Sequence, residues 1–284
     1  MTLAQRDPAL HERLHELAGA ARTVVVAGLP GTGKSLVIHQ LTHLAAAAGR
    51  AVHLLQWDVA RPVVEASTAG RRYPVVNGVT HAMIRAAVGL WARRALASWH
   101  RDHPAPEHLL VVEAPLVGGR LIELARPADD AAEPLLTDRA TRFVIAVPSV
   151  EVRRHVEAER DRRAAHPLHP REREDAPPQV LRDLWRQVAI AARDLGLSSV
   201  DGAVAYDPLV YRQVFETVLR DRRPESLLLD TILRTAAMSV YDFGVPYRDL
   251  VPQTTEADAL VAEAERRHPD RAALARRAER WWVA

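Results

Sequence analysis

The chain of 284 residues contains no cysteine. Disulfide bridges, thiolate nucleophiles and thiolate metal ligands are therefore all excluded. Lysine is almost absent too: Lys34 is the only one, and the rest of the 38 basic residues are arginine. No apolar run approaches the roughly eighteen residues of a membrane helix, and acids and histidines near the N-terminus argue against a secretory leader. We expect a soluble, cytoplasmic protein without a membrane partner.

Net charge is also small, at +2, although the pI is high. Arginine in place of lysine accounts for most of that pI, so charge alone does not favour a nucleic-acid partner. Nearly half of the residues are hydrophobic, which is enough for one large core.

Short apolar segments alternate with longer helical patterns along the chain. Such alternation is typical of βαβ units that build a parallel sheet covered by helices on both faces. We expect strands at residues 23–27, 51–56, 109–113, 143–147 and 226–229. Asn77-Gly78 is expected to form a turn before a helix that extends to about His100 and has a buried stripe on one face. Ser149 is expected to cap another helix.

The first strand leads into "GLPGTGKS", which satisfies the pattern G-x-x-x-x-G-K-[ST]. Glycines let the backbone wrap around phosphate oxygens at the N-terminus of the following helix, where main-chain N–H groups point inward. A lysine ammonium fits such a loop as a point charge, whereas a planar guanidinium does not. We expect ATP and Mg²⁺ to bind here, with Ser35 as a metal ligand. The predicted nucleotide-binding residues are Gly28, Pro30, Gly31, Thr32, Gly33, Lys34 and Ser35.

The single lysine also argues against other nucleotide enzymes. The guanine-reading motif Asn-Lys-x-Asp cannot exist in this chain, which argues against a GTPase, and a protein kinase needs a second lysine on a strand. A separate match, "HERLH" at residues 11–15, has the H-E-x-x-H spacing of a zinc hydrolase but lies ahead of the nucleotide domain, where no fold supplies a third ligand. We do not expect zinc hydrolysis.

Two acids close strands next to the expected phosphate site. Glu113 ends the apolar segment "LLVVEAP" and is our candidate for the metal-side acid. Asp58 follows the second strand in "LLQWDVARP", three residues before Arg61. For either acid the alternative is a structural role, in which the carboxylate only caps a turn.

With the loop and Asp58-x-x-Arg61, the chain resembles P-loop kinases of small molecules, the group that contains adenylylsulfate kinase, zeta-toxin-like kinases and seryl-tRNA kinase. The resemblance implies that Asp58 is a catalytic base and that Arg61 grips the acceptor. The chain departs from this resemblance at Gln56, where the adenylylsulfate enzymes look to have an additional acid. Arg71, Arg72 and Tyr73 stand where such kinases bind the acceptor.

An arginine-rich helix, "EVRRHVEAERDRR", resembles the lid of nucleotide kinases. Lid arginines close over the phosphates and exclude water. Arg153 and Arg160 are the candidates for that catalytic role, although pairing with glutamates on a solvated helix is an equal alternative.

We therefore predict an α/β fold: a P-loop NTPase three-layer sandwich with a parallel sheet in the order 2-3-1-4-5, by analogy, and a helical C-terminal extension. The expected parts are an N-terminal helix (1–22), a kinase-like domain (23–250) with a lid at about 149–178, and a helical tail (251–284). The predicted function is transfer of the ATP γ-phosphate to a hydroxyl or phosphate of a small molecule.

Two alternatives remain open. One is a kinase that acts on RNA, although a nucleic-acid partner is less favoured. The other is an ATP-bound interaction module with slow hydrolysis, favoured by the unassigned tail and the terminal Trp281-Trp282 pair. A homodimer is left open as well.

Overall fold

The computed structural model describes residues 3–198, 205–235 and 238–283 of the chain. The ends of the expected N-terminal helix and tail, at residues 1–2 and 284, lie outside these ranges. Within the described part, one parallel sheet contains six strands in the order β5-β4-β1-β3-β2-β6. The strands are β1 Thr23–Ala27, β2 Ala51–Gln56, β3 His108–Ala114, β4 Thr141–Pro148, β5 Glu225–Leu229 and β6 Tyr247–Leu250.

The predicted α/β fold is confirmed, and its five predicted strands lie in the expected order. The sixth strand, β6, was not predicted; it pairs in parallel with β2, where Val52 lies opposite Tyr247. Its sequence, "YRDL", is largely exposed and polar, as expected for a short edge strand, so it lacks the apolar run that identified the others.

Ten α-helices cover the described sheet. Their bounds are α1 Pro8–Ala20, α2 Lys34–Ala47, α3 Trp57–Ala66, α4 Ala82–Asp102, α5 Glu133–Thr137, α6 Val150–Ala165, α7 Pro178–Asp194, α8 Pro208–Val218, α9 Thr254–Arg267 and α10 Arg271–Glu279.

Alternate residues of the central strand belong to two separate hydrophobic cores. Val24 and Val26 pack with α1 and α2 on one face, whereas Val25 and Ala27 pack with α4 and α8 on the other. Because side chains alternate across a strand, a strand that is apolar at every position must be covered on both faces. The result is the expected three-layer arrangement.

The C-terminal helices pack against the domain. Helix α9 lies against α4, and the fully buried ring of Trp281 contacts Phe215 of α8 at 5.5 Å between ring centroids. The two tail helices are separated at His268-Pro269-Asp270, where Asp270 caps α10 through the amide of Ala273. Among residues 3–198, 205–235 and 238–283, no helix is both long and apolar enough to cross a membrane.

Candidate functional site

The loop between β1 and α2 has the backbone that its glycines predict. Gly28, Gly31 and Gly33 all have positive φ, and Gly33 is the residue that immediately precedes α2. A Cβ added at Gly28 would lie 2.5 Å from the hydroxyl of Tyr211, so the loop also has no room for a side chain there. No side chain within the described residues caps α2, which leaves its first N–H groups available to an anion.

Thr32 and Pro30 complete the loop but differ in exposure. Thr32 is fully buried and its hydroxyl donates to the carbonyl oxygen of Leu29 at 2.8 Å. Pro30 is half-buried. Thr32 therefore stabilises the shape of the loop, and the inward-facing main chain remains the part suited to phosphate.

Lys34 is buried at the start of α2. Its Nζ donates to the carbonyl oxygen of Leu29 at 2.9 Å and lies 3.6 Å from Oε1 of Glu113. Burial lowers the pKa of Lys34 and raises the pKa of Glu113, while the attraction between the two charges opposes both shifts. The ammonium is thus held inside the loop, where further negative charge would stabilise its protonated form.

Glu113 reaches this position because β3 lies next to β1. The register places Val26 opposite Glu113, so the carboxylate stands beside the point where β1 enters the loop. Glu113 and the hydroxyl-bearing Ser35, adjacent to Lys34, are oxygen donors of the kind that Mg²⁺ takes. This donor set fits the metal that the sequence predicts.

A cavity, partly open to solvent, adjoins the loop. It lies between the loop, helix α6 and residues 233–235 and 238–241. Arg160 of α6 lines the cavity and lies 3.4 Å from Asp175, which accepts a hydrogen bond from the hydroxyl of Tyr241 at 2.7 Å. The second guanidinium nitrogen of Arg160, NH1, is buried and has no hydrogen-bond partner among the described residues. The loop and the predicted lid helix therefore share one cavity.

Arg153, about two turns before Arg160 on α6, has different surroundings from Arg160. It is buried between the rings of Tyr206 and Trp185, at 4.3 and 5.7 Å from their centroids, and donates to Glu157 at 2.9 Å. Of the two predicted lid arginines, the structure brings only Arg160 to the phosphate loop.

Asp58 lies in the first turn of α3, exposed, and within electrostatic range of Lys34, Glu113 and Arg120. Arg61, one turn later, donates to both carboxylate oxygens of Glu65 at 3.0 and 3.2 Å. The structure therefore brings Asp58 into the electrostatic surroundings of the loop, while Arg61 is paired within its own helix.

The segment predicted to bind an acceptor contacts the C-terminal helices instead. Arg72 pairs with Glu265 of α9 at 3.0 Å, and the buried Tyr73 donates its hydroxyl proton to the same carboxylate. Arg71 is exposed and donates to the carbonyl oxygen of Ala66. These three residues fasten the end of α3 to α9 and are not brought together with the loop.

Sequence reasoning missed several residues around the loop. The hydroxyl oxygen of Tyr211 in α8 accepts a hydrogen bond from the buried amide of Leu29 at 3.1 Å and so stabilises the loop. Arg171 donates to Gln56 at 2.9 Å and lies over the ring of Tyr241. No local motif marks these side chains, because they reach the site from α8 and from long connecting segments that only the fold brings close.

Comparison with known proteins places the loop in a family context. The family model described as methylmalonyl-CoA mutase-associated GTPase MeaB matches residues 3–87, less than a third of the chain. The matched segment runs from the N-terminal residues through β1, the loop, α2, β2 and α3 into α4. No curated protein and no solved structure matches the chain.

This match corrects the functional prediction. The matching family is a GTPase family, so transfer of phosphate to a small molecule is wrong, and the acceptor roles of Arg61, Arg71, Arg72 and Tyr73 lose their basis. The absence of Asn-Lys-x-Asp excludes one way of recognising guanine. It does not exclude the hydrolysis of GTP, so the expectation that the protein is not a GTPase was wrong on this ground. The resemblance to kinases holds at the level of the P-loop NTPase superfamily. The match over residues 3–87, together with the all-parallel sheet, supports that superfamily and the binding of a nucleotide and Mg²⁺ that it implies.

Proposed function

We propose that the protein hydrolyses a nucleoside triphosphate in the presence of Mg²⁺ and that GTP is its preferred substrate. The observation that carries hydrolysis is the phosphate loop, in which the buried ammonium of Lys34 lies at the uncapped start of α2, 3.6 Å from Glu113. The preference for GTP is supported by the match of residues 3–87 to a GTPase family.

Each polar group of the site has a role in this proposal. The N–H groups of α2 and Lys34 would hold the β- and γ-phosphates, and Ser35 with Glu113 would hold Mg²⁺, which neutralises charge on those phosphates when bound. Arg160 would close over the cavity and exclude bulk water, and its unpartnered NH1 would donate to the γ-phosphate. Asp58, at the exposed rim, would orient the attacking water.

Guanine would have to be read without Asn-Lys-x-Asp, since Lys34 is committed to the loop. The cavity next to the loop offers other groups for a base, among them the ring of Tyr241 and the hydroxyl of Thr235. Aromatic stacking would favour any base, so selection among bases would depend on polar contacts of residues 233–235 and 238–241.

The test is phosphate release from GTP, ATP, CTP and UTP without any acceptor, with and without Mg²⁺. We expect Mg²⁺-dependent release with GTP as the best substrate. Lys34→Ala and Lys34→Arg should each lower it by about 100-fold or more, because neither places a compact charge in the loop. Asp58→Asn should retain binding of a fluorescent nucleotide and lose hydrolysis.

A matched pair on α6 provides the control. Arg160→Ala should lower turnover, whereas Arg154→Ala, an exposed position on the same helix, should leave it unchanged. Faster hydrolysis of ATP than of GTP would overturn the guanine preference alone. A wild-type protein that hydrolyses none of the four nucleotides would overturn the whole proposal.

We also propose that nucleotide state controls association with a protein partner. Two observations support this. The family that matches residues 3–87 is a mutase-associated GTPase family, and Arg160 lies on a helix that borders the cavity. Gel filtration with methylmalonyl-CoA mutase in the presence of GDP or a non-hydrolysable GTP analogue tests this. Co-elution in one nucleotide state only is expected, and no co-elution in either state would contradict it.

A further inference from the structure

Three histidines meet at the edge of the sheet opposite the phosphate loop. His53 is buried in β2, His108 begins β3, and His103 follows the last residue of α4. One ring nitrogen from each lies within 4.8 Å of the others. The closest pair, Nε2 of His53 and Nδ1 of His108, is 3.3 Å apart.

The segment "HPAPEH" holds two of these rings in place. Pro104 and Pro106 restrict its backbone, so His103 and His108 sit at the two ends of a stiff connection. Arg22 donates to the carbonyl oxygens of His103 and His108, and Arg50 donates to that of His108 at 2.8 Å. These half-buried guanidinium contacts fix the main chain on both sides of the rings, which lowers the entropic cost of binding a ligand.

A further contact orients His103. Its Nδ1 lies 3.1 Å from the carbonyl oxygen of Trp99, one turn back in α4, and its ring stacks on Trp99 at 5.5 Å between centroids. A Nδ1–H that donates to a main-chain carbonyl leaves the lone pair on Nε2, which is the usual second-shell arrangement of metal-binding histidines.

The closest of the three nitrogen pairs has the spacing of a tetrahedral metal site. Zinc–nitrogen bonds of about 2.0–2.1 Å at tetrahedral angles separate two ligand nitrogens by about 3.4 Å, close to the His53–His108 separation. We propose that His53, His103 and His108 bind one divalent transition metal ion, with Zn²⁺ as the preferred ion and a fourth position open to water. Imidazole favours Zn²⁺ and its neighbours in the transition series over Mg²⁺, so the site is chemically distinct from the oxygen donors at Glu113.

This site is also separate from the nucleotide. Glu113 comes five residues after His108 in β3, a span of about 16 Å at the rise of a parallel strand. Bound metal would join β2, β3 and the end of α4, and thereby stabilise the amino edge of the sheet. The inference does not rest on the proposed hydrolysis, because metal binding is measured without nucleotide.

Cobalt titration of the full chain tests the proposal. We expect one Co²⁺ per chain with the intense visible bands of a tetrahedral site, displacement of Co²⁺ by Zn²⁺, and no displacement by Mg²⁺. His103→Ala and His108→Ala, at half-buried positions, should each weaken binding by at least about tenfold. Circular dichroism of each variant without metal establishes that it is folded.

The double variant His11→Ala/His15→Ala is the matched control. It removes the two histidines of the H-E-x-x-H sequence, whose rings are 6.3 Å apart on α1, and should leave binding unchanged. Loss of the cobalt bands in this control, with retention in His103→Ala and His108→Ala, would overturn the assignment. So would a wild-type dissociation constant for Zn²⁺ and Co²⁺ weaker than about 100 μM.

Discussion

Replacing Glu113 by glutamine tests whether the carboxylate beside Lys34 acts on the metal or only balances the lysine. At 3.6 Å and an effective dielectric near 20, the attraction between the two charges is about 4–5 kcal/mol. Taking each ion out of water costs several kcal/mol, so the net contribution of the pair to folding is small. Glu113→Gln nevertheless leaves the Lys34 ammonium buried without its countercharge, so we expect the free energy of unfolding to fall by about 3–5 kcal/mol.

Glu113→Gln should also affect nucleotide binding without metal and hydrolysis with metal, in different ways. Without Mg²⁺, Glu113→Gln should bind nucleotide more tightly, because a negative charge next to the phosphates is removed. With Mg²⁺, hydrolysis should fall by about 100-fold, because the metal loses an oxygen donor at the loop. Isothermal titration in EDTA and in Mg²⁺, together with phosphate release, measures both effects.

Glu107→Gln makes the same chemical change six residues earlier, at an exposed position just before β3. It should leave both measurements unchanged, which separates a local effect from one of net charge. If Glu113→Gln hydrolysed GTP at the wild-type rate with the same dependence on Mg²⁺, the assignment of Glu113 as the metal-side acid would be refuted. Weaker binding in EDTA would contradict the electrostatic argument.

Two further predictions concern contacts that support the site and the fold. Tyr211→Phe leaves the buried amide of Leu29 without its acceptor, so unfolding free energy should fall by about 1–3 kcal/mol and nucleotide affinity should fall with it. Tyr206→Phe, whose lost hydroxyl contacts Pro148, should affect stability alone, and equal affinity losses in both variants would contradict a specific role for Tyr211. Burial raises the pKa of Glu133, but hydrogen bonds from Arg222 and Arg93 outweigh it and lower the pKa to about 2. The resulting stabilisation, about 3 kcal/mol, is present above pH 4.5 and is lost as the pH falls towards 2. Urea unfolding should therefore show a large difference between wild type and Glu133→Gln at pH 7 that shrinks below pH 3, and a constant difference would rule this out.

Patterns that are local in the chain predicted most of the fold. Strands β1 and β3 are apolar at nearly every position because helices cover both faces, so the segments "TVVVA" and "LLVVEA" identify them without any tertiary information. The stripe on α4 is equally local: Ile84, Val88 and Trp91 recur at helical spacing and all three are buried. Ser149 caps α6 as predicted, through the amide of Val152 at 3.2 Å.

The sequence predicted those residues of the candidate site that form a continuous motif or that end a recognisable parallel strand. The loop and Lys34 form a continuous motif, and Glu113 was accessible because parallel strands end at one edge of the sheet. Tyr211 and Asp175 reach the loop through α8 and through a long connection, so nothing in their neighbours indicates the contact. Tyr73 shows the opposite failure, because its partner Glu265 lies in a tail for which no packing had been predicted.

The single lysine carries a narrower conclusion than its rarity suggests. A compact ammonium is required where main-chain groups crowd a phosphate, and this explains why arginine, used at every other basic position, does not replace Lys34. The same rarity excludes Asn-Lys-x-Asp, but that motif reads the base, whereas Lys34 lies in the phosphate loop. Under the proposed function, selection of the base depends on the cavity-lining segment of residues 233–235 and 238–241 and on α6 rather than on the loop. Changes in that segment should alter the ratio of GTP to ATP turnover while leaving the dependence on Lys34 intact.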